Sequence, residues 1–436
     1  MRKALLEMLR CPLCGAEMKI REVYDETPDA LMQGCLQCEC DTFPVCEGIL
    51  ILKNSPVKRY VLRFLTEGAF QKAALFAMAN YADDACRLLH FLEGSPGGRK
   101  ISKAALWFFT ACFHRLYKKY FDRKISYLDL LGEGAYHQYL KHRFSSQTFW
   151  SLYPFVPLIR EHGEKILEIC CGSGHASFVL SRHISPDKMV AVDGSFWNLF
   201  LAAKYFSGAD LIQADMNAGL PFKEHRFSTV LMMDSLHYVD ARALLAGEIA
   251  RVTAPGGVNL VLHMHNALRE NMAAGWSFYP STIDRLFPGG DVKILPEQSV
   301  VEEYIQNGRL DLSRSYTEDE RRRADALIVA RHAPESVREG LWDDAIAPDD
   351  RLILNPLYHI EVQKEKMVMD RVWPSSDFRR EYPLTETYLP DRFEIDTALL
   401  RQAEGSSAEL SQRMRRNFTL LAVPENYGGR TLPEVV

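Results

Sequence analysis

From residue 165 onward, short apolar runs alternate with intervals long enough for one helix: KILEIC, MVAVDG, ADLIQAD, FSTVLMMD and VNLVLHMH. No other feature of the chain restricts its fold as strongly. Runs of this length, rich in Val, Ile and Leu, suit strands buried on both faces, and the helices between them serve as crossover connections. The pattern predicts a parallel, doubly wound α/β sheet beginning near residue 161.

The first run carries Glu168 near its end and turns through CCGSGH into a probable helix, with Gly172 and Gly174 in the turn. The second ends in Asp193, one helix later, where a carboxylate is positioned to accept hydrogen bonds from two ribose hydroxyls. The turn lacks the G-x-G-x-x-G that a dinucleotide pyrophosphate normally demands. It instead resembles motif I of the class I S-adenosylmethionine-dependent methyltransferases, as E-x-C-C-G-S-G where that family usually has E/D-x-G-x-G-x-G. QADMNAGLPF, FSTVLMMDSLHYVD and EIARVTAPGGVNLVLH follow in the family's order, so the resemblance covers residues 165 to about 267.

That resemblance implies a seven-stranded Rossmann-like methyltransferase sheet with S-adenosylmethionine as cofactor, and it assigns roles by position. Glu168, Gly172 and Gly174 line the aminoacid and ribose part, Asp193 and Gly194 the ribose, Asp215 the adenine amino group, Met216 the ring, and Asp234 the methionine end. Cys170 stands at the family's first glycine, small enough to allow close backbone approach, with Cys171 packed beneath the loop. A reactive thiol would need a lowered pKa, for which the sequence offers no source. His237, just past the fourth strand, is the candidate general base or else shapes the pocket. His263 and His265 alternate along the fifth strand, share a face and are secondary candidates. Tyr136, Tyr139 and Arg143 offer a cap over the cofactor, with Arg143 suited to its carboxylate. A solvated, charged helix face explains the same letters.

Six of the ten cysteines precede residue 47. Paired spacing of this kind points to a metal rather than to a disulfide framework. Cys11 and Cys14 in CPLC have knuckle spacing for zinc, and Cys35 and Cys38 repeat it; Cys38 with Cys40 is the alternative pair, and Cys46 also competes. LLEMLRCPLC, the glycine, leucine and cysteine at 34, 36 and 38, and FPVCEGILIL resemble the zinc ribbon of the tRNA- and protein-methyltransferase activator family. Four thiolates leave no open position, so the implied zinc is structural.

The expected organisation is a zinc ribbon at 1–55, a helical linker and lid region at 56–160, and a methyltransferase domain at 161–436, with insertions at about 268–350 and 374–412. DRLILNPLYHIEV and RRNFTLLAVPENYG read as strands within it. The formal net charge of -5 gives no general attraction to nucleic acid or to an anionic membrane, although it averages over faces. No signal peptide or spanning apolar stretch is read, so the expectation is cytoplasmic, without a membrane partner. Two functions remain open. One is methyl transfer to a small molecule at O, N or C. The other is an RNA methyltransferase, which the zinc ribbon favours by analogy, and against which stand the acidic balance and the scarcity of Lys/Arg clusters. The sequence leaves the oligomeric state undetermined.

Overall fold

A computed structural model describes residues 1–79, 82–94, 98–272, 275–287, 291–341, 351–363, 365–397 and 414–431. At its centre is one eleven-stranded sheet. Four strands come from the N-terminal segment: β1 (Lys19–Glu26), β2 (Leu31–Gln37), β3 (Thr42–Cys46) and β4 (Ile49–Ile51). Five follow from the alternating region: β5 (Ile166–Ile169), β6 (Met189–Asp193), β7 (Asp210–Gln213), β8 (Phe227–Met233) and β9 (Thr253–His265). The last two are β10 (Val292–Pro296) and β12 (Ala326–Arg331), and between them β11 (Leu310–Asp311) pairs separately with β13 (Val337–Arg338). The order across the sheet is β1-β2-β3-β4-β7-β6-β5-β8-β9-β12-β10. β5 to β9 pair in parallel, and β12 runs antiparallel to both neighbours.

This arrangement corrects two expectations. The sheet does not end at seven strands, because β4 pairs in parallel with β7, placing Ile49, Leu50 and Ile51 beside Leu211, Ile212 and Gln213. Without that pairing β7 would present a bare backbone edge. Alternation then divides β4 and the residue after it between two cores: Ile49 and Ile51 join the cluster on one face of the sheet, and Leu50 and Leu52 the cluster on the other. The N-terminal segment is thus part of the same sheet rather than a separate ribbon. The second correction concerns the closing antiparallel strands. Both β10 and β12 lie inside 268–350, read above as an insertion; VKILP and ALIVAR are short apolar runs hidden between charged segments.

Helices α1 (Val57–Thr66), α2 (Phe70–Met78), α3 (Ala82–Gly94) and α4 (Gly98–Tyr117) lead away from β4. The inner face of α1, made of Tyr60, Val61, Phe64 and Leu65, shares a cluster with Ile49 and Ile51. Beyond the central sheet, β14 (Arg351–Leu354) pairs with β18 (Leu420–Val423), and β15 (Tyr358–Gln363), β16 (Lys366–Arg371) and β17 (Arg392–Asp396) form a small sheet. The two C-terminal runs read as strands do form β14, β15 and β18. Phe418 stacks on Trp150 with ring centroids 4.0 Å apart, and buried Asn355 donates to the Phe418 carbonyl at 2.7 Å and accepts from the Ser145 hydroxyl at 2.8 Å. These contacts pin the C-terminal part over the segment that precedes β5. Residues 398–412 of the second expected insertion lie outside the described residues. Among the described residues no helix is long and apolar enough to cross a membrane.

Because β4 links the N-terminal segment to the parallel strands, Leu50→Ala is expected to destabilise both together. Denaturant unfolding followed by circular dichroism should show one transition with a loss of about 2–5 kcal/mol. Two separate transitions, or a loss of well under 1 kcal/mol, would contradict a shared core.

Candidate functional site

A cavity of about 640 Å³ opens at the carboxyl ends of β5, β6 and β8, where ligands bind in sheets of this topology. Its floor is the glycine turn. Cys170, Gly172 and Gly174 all have positive φ, at 55°, 54° and 91°. A Cβ at Gly174 would lie 3.0 Å from the Ala202 Cβ and 3.1 Å from the Phe206 Cβ, so only glycine lets the following helix His175–Ser181 pack there. A Cβ at Gly172 meets nothing within 4 Å, which leaves its backbone bare on the cavity side. Cys170 takes the left-handed conformation in which its family counterpart is usually glycine. Burial and the neighbouring Asp193 push both cysteine thiols up, so neither is a thiolate at neutral pH.

Asp193, at the end of β6, accepts the Gly172 N–H at 2.9 Å and the Ser195 N–H at 2.8 Å. Burial raises its pKa against those bonds. Glu168 is fully buried, accepts the Ser177 hydroxyl and is pushed up to about 7 by burial. Gly194 lines the cavity as well. Asp215 and Met216 are not among the lining residues: Asp215 caps the short turn Met216–Ala218 by accepting the Asn217 N–H at 2.9 Å, and Met216 is buried.

The other end of the cavity is a network of charged and imidazole groups. Asp234 accepts from the Arg143 guanidinium at 2.8 Å and from the Tyr139 hydroxyl at 3.1 Å. Burial alone would raise the Asp234 pKa, but Arg143 and the nearby histidines outweigh it and hold the carboxyl low. Arg143 was expected to serve a cofactor carboxylate; its Nη1 is instead committed to Asp234, although the residue still lines the cavity. Behind Asp234, His263 Nδ1 meets Glu297 at 2.7 Å and its Nε2 lies 3.9 Å from Asp234. Burial opposes charge on His263, yet Glu297, Asp234 and Glu381 raise it to about 9. His237 and His265 stack edge to face with ring centroids 4.7 Å apart. Burial drives His237 down to about 4 and, with help from charged His263, His265 down to about 3. His237 is thus a neutral imidazole, and its Nδ1 is buried without a hydrogen-bond partner.

Two lining residues had no signal in the sequence as site groups. Glu381 ends the short helix Ser376–Glu381 far along the chain, Tyr382 follows it, and Glu381 stands 3.9 Å from His265. Tyr382 stood inside an aromatic stretch that composition alone could not separate from core.

In the N-terminal segment the sulfurs of Cys11, Cys14, Cys38 and Cys40 lie within 4.8 Å of one another. Cys38 and Cys40 are 3.4 Å apart, Cys11 and Cys40 3.6 Å, Cys14 and Cys38 3.9 Å. Zn–S bonds of about 2.3 Å in a tetrahedron put sulfurs about 3.8 Å apart, so the group fits one zinc ion. Cys35, ranked above Cys40 from the sequence, is not in it: Cys35 sits within the β2 ladder opposite Pro44, while Cys38 and Cys40 lie in the loop beyond. Cys46 is buried in the core.

Residues 166–257 match the methyltransferase-domain family. The match covers this segment alone, about a fifth of the chain, and describes it as a methyltransferase domain. Among curated proteins, the chain is 29% identical over 97 residues to a probable phthiotriol/phenolphthiotriol dimycocerosates methyltransferase of Mycobacterium ulcerans, covering 22% of this chain and 37% of that one. It is 24% identical over 140 residues to the demethylmenaquinone methyltransferase of Staphylococcus carnosus, covering 31% and 58%. It thus spans little more than a third of the first relative and under two thirds of the second. A solved TehB-like S-adenosylmethionine-dependent methyltransferase of Corynebacterium glutamicum is 16% identical and covers 42% of this chain and 89% of that one, at a TM-score of 0.31.

The His263–Glu297 contact makes stability depend on pH. A histidine raised from 6.5 to about 9 by folding stabilises fully below 6.5, and that contribution is lost as pH rises through 9. Urea unfolding should therefore show the wild type losing about 1–3 kcal/mol relative to Glu297→Gln between pH 6.5 and 9.5. Parallel profiles would contradict the coupling.

Proposed function

We propose that this protein transfers the methyl group of S-adenosylmethionine to a small-molecule acceptor at O, N or C, and that Cys11, Cys14, Cys38 and Cys40 hold one structural zinc. The observation that carries the reading is the cavity itself. One end offers the bare backbone of Gly172 beside Asp193, and the other offers neutral imidazoles and carboxylates under Tyr382. Bound S-adenosylmethionine supplies an electrophilic methyl group on a sulfonium. Asp193 would hold the ribose hydroxyls, Gly172 and Gly194 admit close approach, and Glu168 lies beneath the turn. His237, neutral and with a free Nδ1, can accept a hydrogen bond from an acceptor hydroxyl or amine and orient it, while the burial that keeps it neutral makes it a weak base.

The curated relatives are named for phthiotriol dimycocerosates and for demethylmenaquinone, which supports a small acceptor over a nucleic acid. An RNA strand would want an open basic groove, whereas Arg143 is the one Lys or Arg among the lining residues and it is paired with Asp234. The activity test is incubation of the protein with methyl-labelled S-adenosylmethionine and a fractionated cell extract. Label is expected in low-mass material and absent with Asp193→Ala, whose affinity for the cofactor should fall more than about tenfold while the far-ultraviolet spectrum is kept. Label in RNA, or unchanged cofactor affinity in the variant, would overturn the reading. For the thiol site, elemental analysis should give one zinc per chain in the wild type and in Cys35→Ser, and less than half as much in Cys40→Ser. Equal zinc in the two variants would sink the ligand assignment.

A further inference from the structure

Helix α4 carries apolar side chains on two opposite faces. The inner face holds buried Leu106 with Phe109 and Phe113, and Phe113 meets the Phe76 ring at 5.1 Å. The outer face holds Ile101, Ala104, Trp107, Phe108 and Ala111, at helical spacing and all exposed. Trp107 is 73% exposed, Ile101 and Phe108 58% each, and Leu116 further along is 64% exposed. On the adjoining helix α3, Phe91 is 75% exposed. A helix that is apolar all round is ordinarily buried, and no part of the described residues covers this face.

Charge decides what can cover it. The twenty residues of α4 contain no Asp or Glu, and residues 100–124 hold seven Lys or Arg against one acidic residue, Asp122, in a chain whose net charge is -5. Lys100, Lys103 and Arg115 are exposed along the helix, and Lys118 is exposed just past its end. A second copy docking through the same face would bring like charge against like charge. An anionic lipid surface instead takes Trp and Phe into its apolar layer and Lys and Arg onto its headgroups, as with helices that lie in the plane of a membrane.

We propose that the outer face of α4 docks this protein on an anionic lipid bilayer, with the helix lying in the plane of the interface. The mean acidity of the chain conceals the patch, so the expectation of no membrane partner does not extend to this face. The turn that follows α4 reaches the cavity wall through packed rings. In the turn Lys118–Phe121 that follows α4, Tyr120 meets Trp197 at 6.0 Å, and Trp197 meets Tyr136 of the cavity wall at 6.0 Å.

The test is flotation of the full-length protein with vesicles of phosphatidylcholine alone and of phosphatidylcholine mixed with phosphatidylglycerol. At low ionic strength the protein should float with the anionic vesicles, much less with the neutral ones, and should be released by salt. The double variant Trp107→Ser/Phe108→Ser should lose about fivefold or more of the bound fraction while keeping its thermal unfolding profile. Lys103→Glu/Arg115→Glu, which leaves the apolar face intact, should weaken binding to anionic vesicles alone. No flotation with anionic vesicles, or binding unchanged in the Trp107/Phe108 variant, would overturn the proposal. So would a dimer that the same variant converts to monomer without any vesicle binding.

Discussion

A guanidinium with only 5% of its side chain exposed can persist only if a carboxylate faces it, and Arg143 has that partner in Asp234. Removing one member of such a buried pair typically costs about 3–5 kcal/mol, because the other is left charged and dry. The pair ties distant parts of the chain together. Arg143 follows the helix Ala135–Lys141, and Asp234 follows β8, its own N–H donating to Leu262 of β9 at 3.0 Å. Behind Asp234 stand His263 of β9 and Glu297 at the start of the helix Glu297–Asn307. Charges therefore alternate through the interior as guanidinium, carboxylate, imidazolium, carboxylate. Each buried charge has an opposite neighbour, which is the condition for keeping four of them out of water.

That alternation fixes what the cavity can do. Because Glu297 and Asp234 keep His263 protonated, the two imidazoles nearer the cavity, already disfavoured as cations by burial, meet a positive neighbour and stay neutral. A neutral His237 with an unpartnered nitrogen can accept a hydrogen bond over the whole neutral range. Burial keeps this imidazole unprotonated, and the pKa of about 4 that it imposes also makes it a weak base. Cys170 and Cys171 lie in the same wall, and there too burial favours the uncharged form and suppresses the thiolate.

The parts of this site that the sequence revealed are those fixed by local rules. An apolar run, an acidic residue near its end and a glycine turn are contiguous, so Glu168, Gly172, Gly174, Asp193 and Gly194 could be named through the motif they resemble, and all but Gly174 line one cavity. Asp234 and Arg143 were named too, but as separate groups, because their mutual pairing joins residues 91 apart. Glu381 and Tyr382 arrive from still further along the chain and carry no local signature. The choice among cysteines failed for a related reason. Spacing ranks Cys35 with Cys38, but pairing of β2 with β1 and β3 holds Cys35 in the ladder, and only the residues past the strand end are free to turn toward Cys11 and Cys14.

The pairing of β4 with β7 changes the meaning of the N-terminal segment. A ribbon on a tether could carry a substrate to the cavity from a distance; a ribbon whose strand is hydrogen-bonded into the sheet cannot move independently of it. Its contribution must then pass through fixed contacts. Cys38 donates its N–H to the Asp41 carbonyl at 3.1 Å, and the Asp41 carboxylate pairs with Lys58 on α1. Lys58, with Lys53 and Ser55 just before α1, lines a small cavity of about 150 Å³ whose opposite wall includes Gly194 and Ser195. Gly194 borders the large cavity as well, and Asp193 between the two walls accepts the Ser195 N–H. The thiol loop, the β4–α1 corner and the turn after β6 are therefore consecutive members of one rigid chain of contacts. A group holding the four sulfurs together would stiffen the Asp193 end of the cavity without touching anything bound in it.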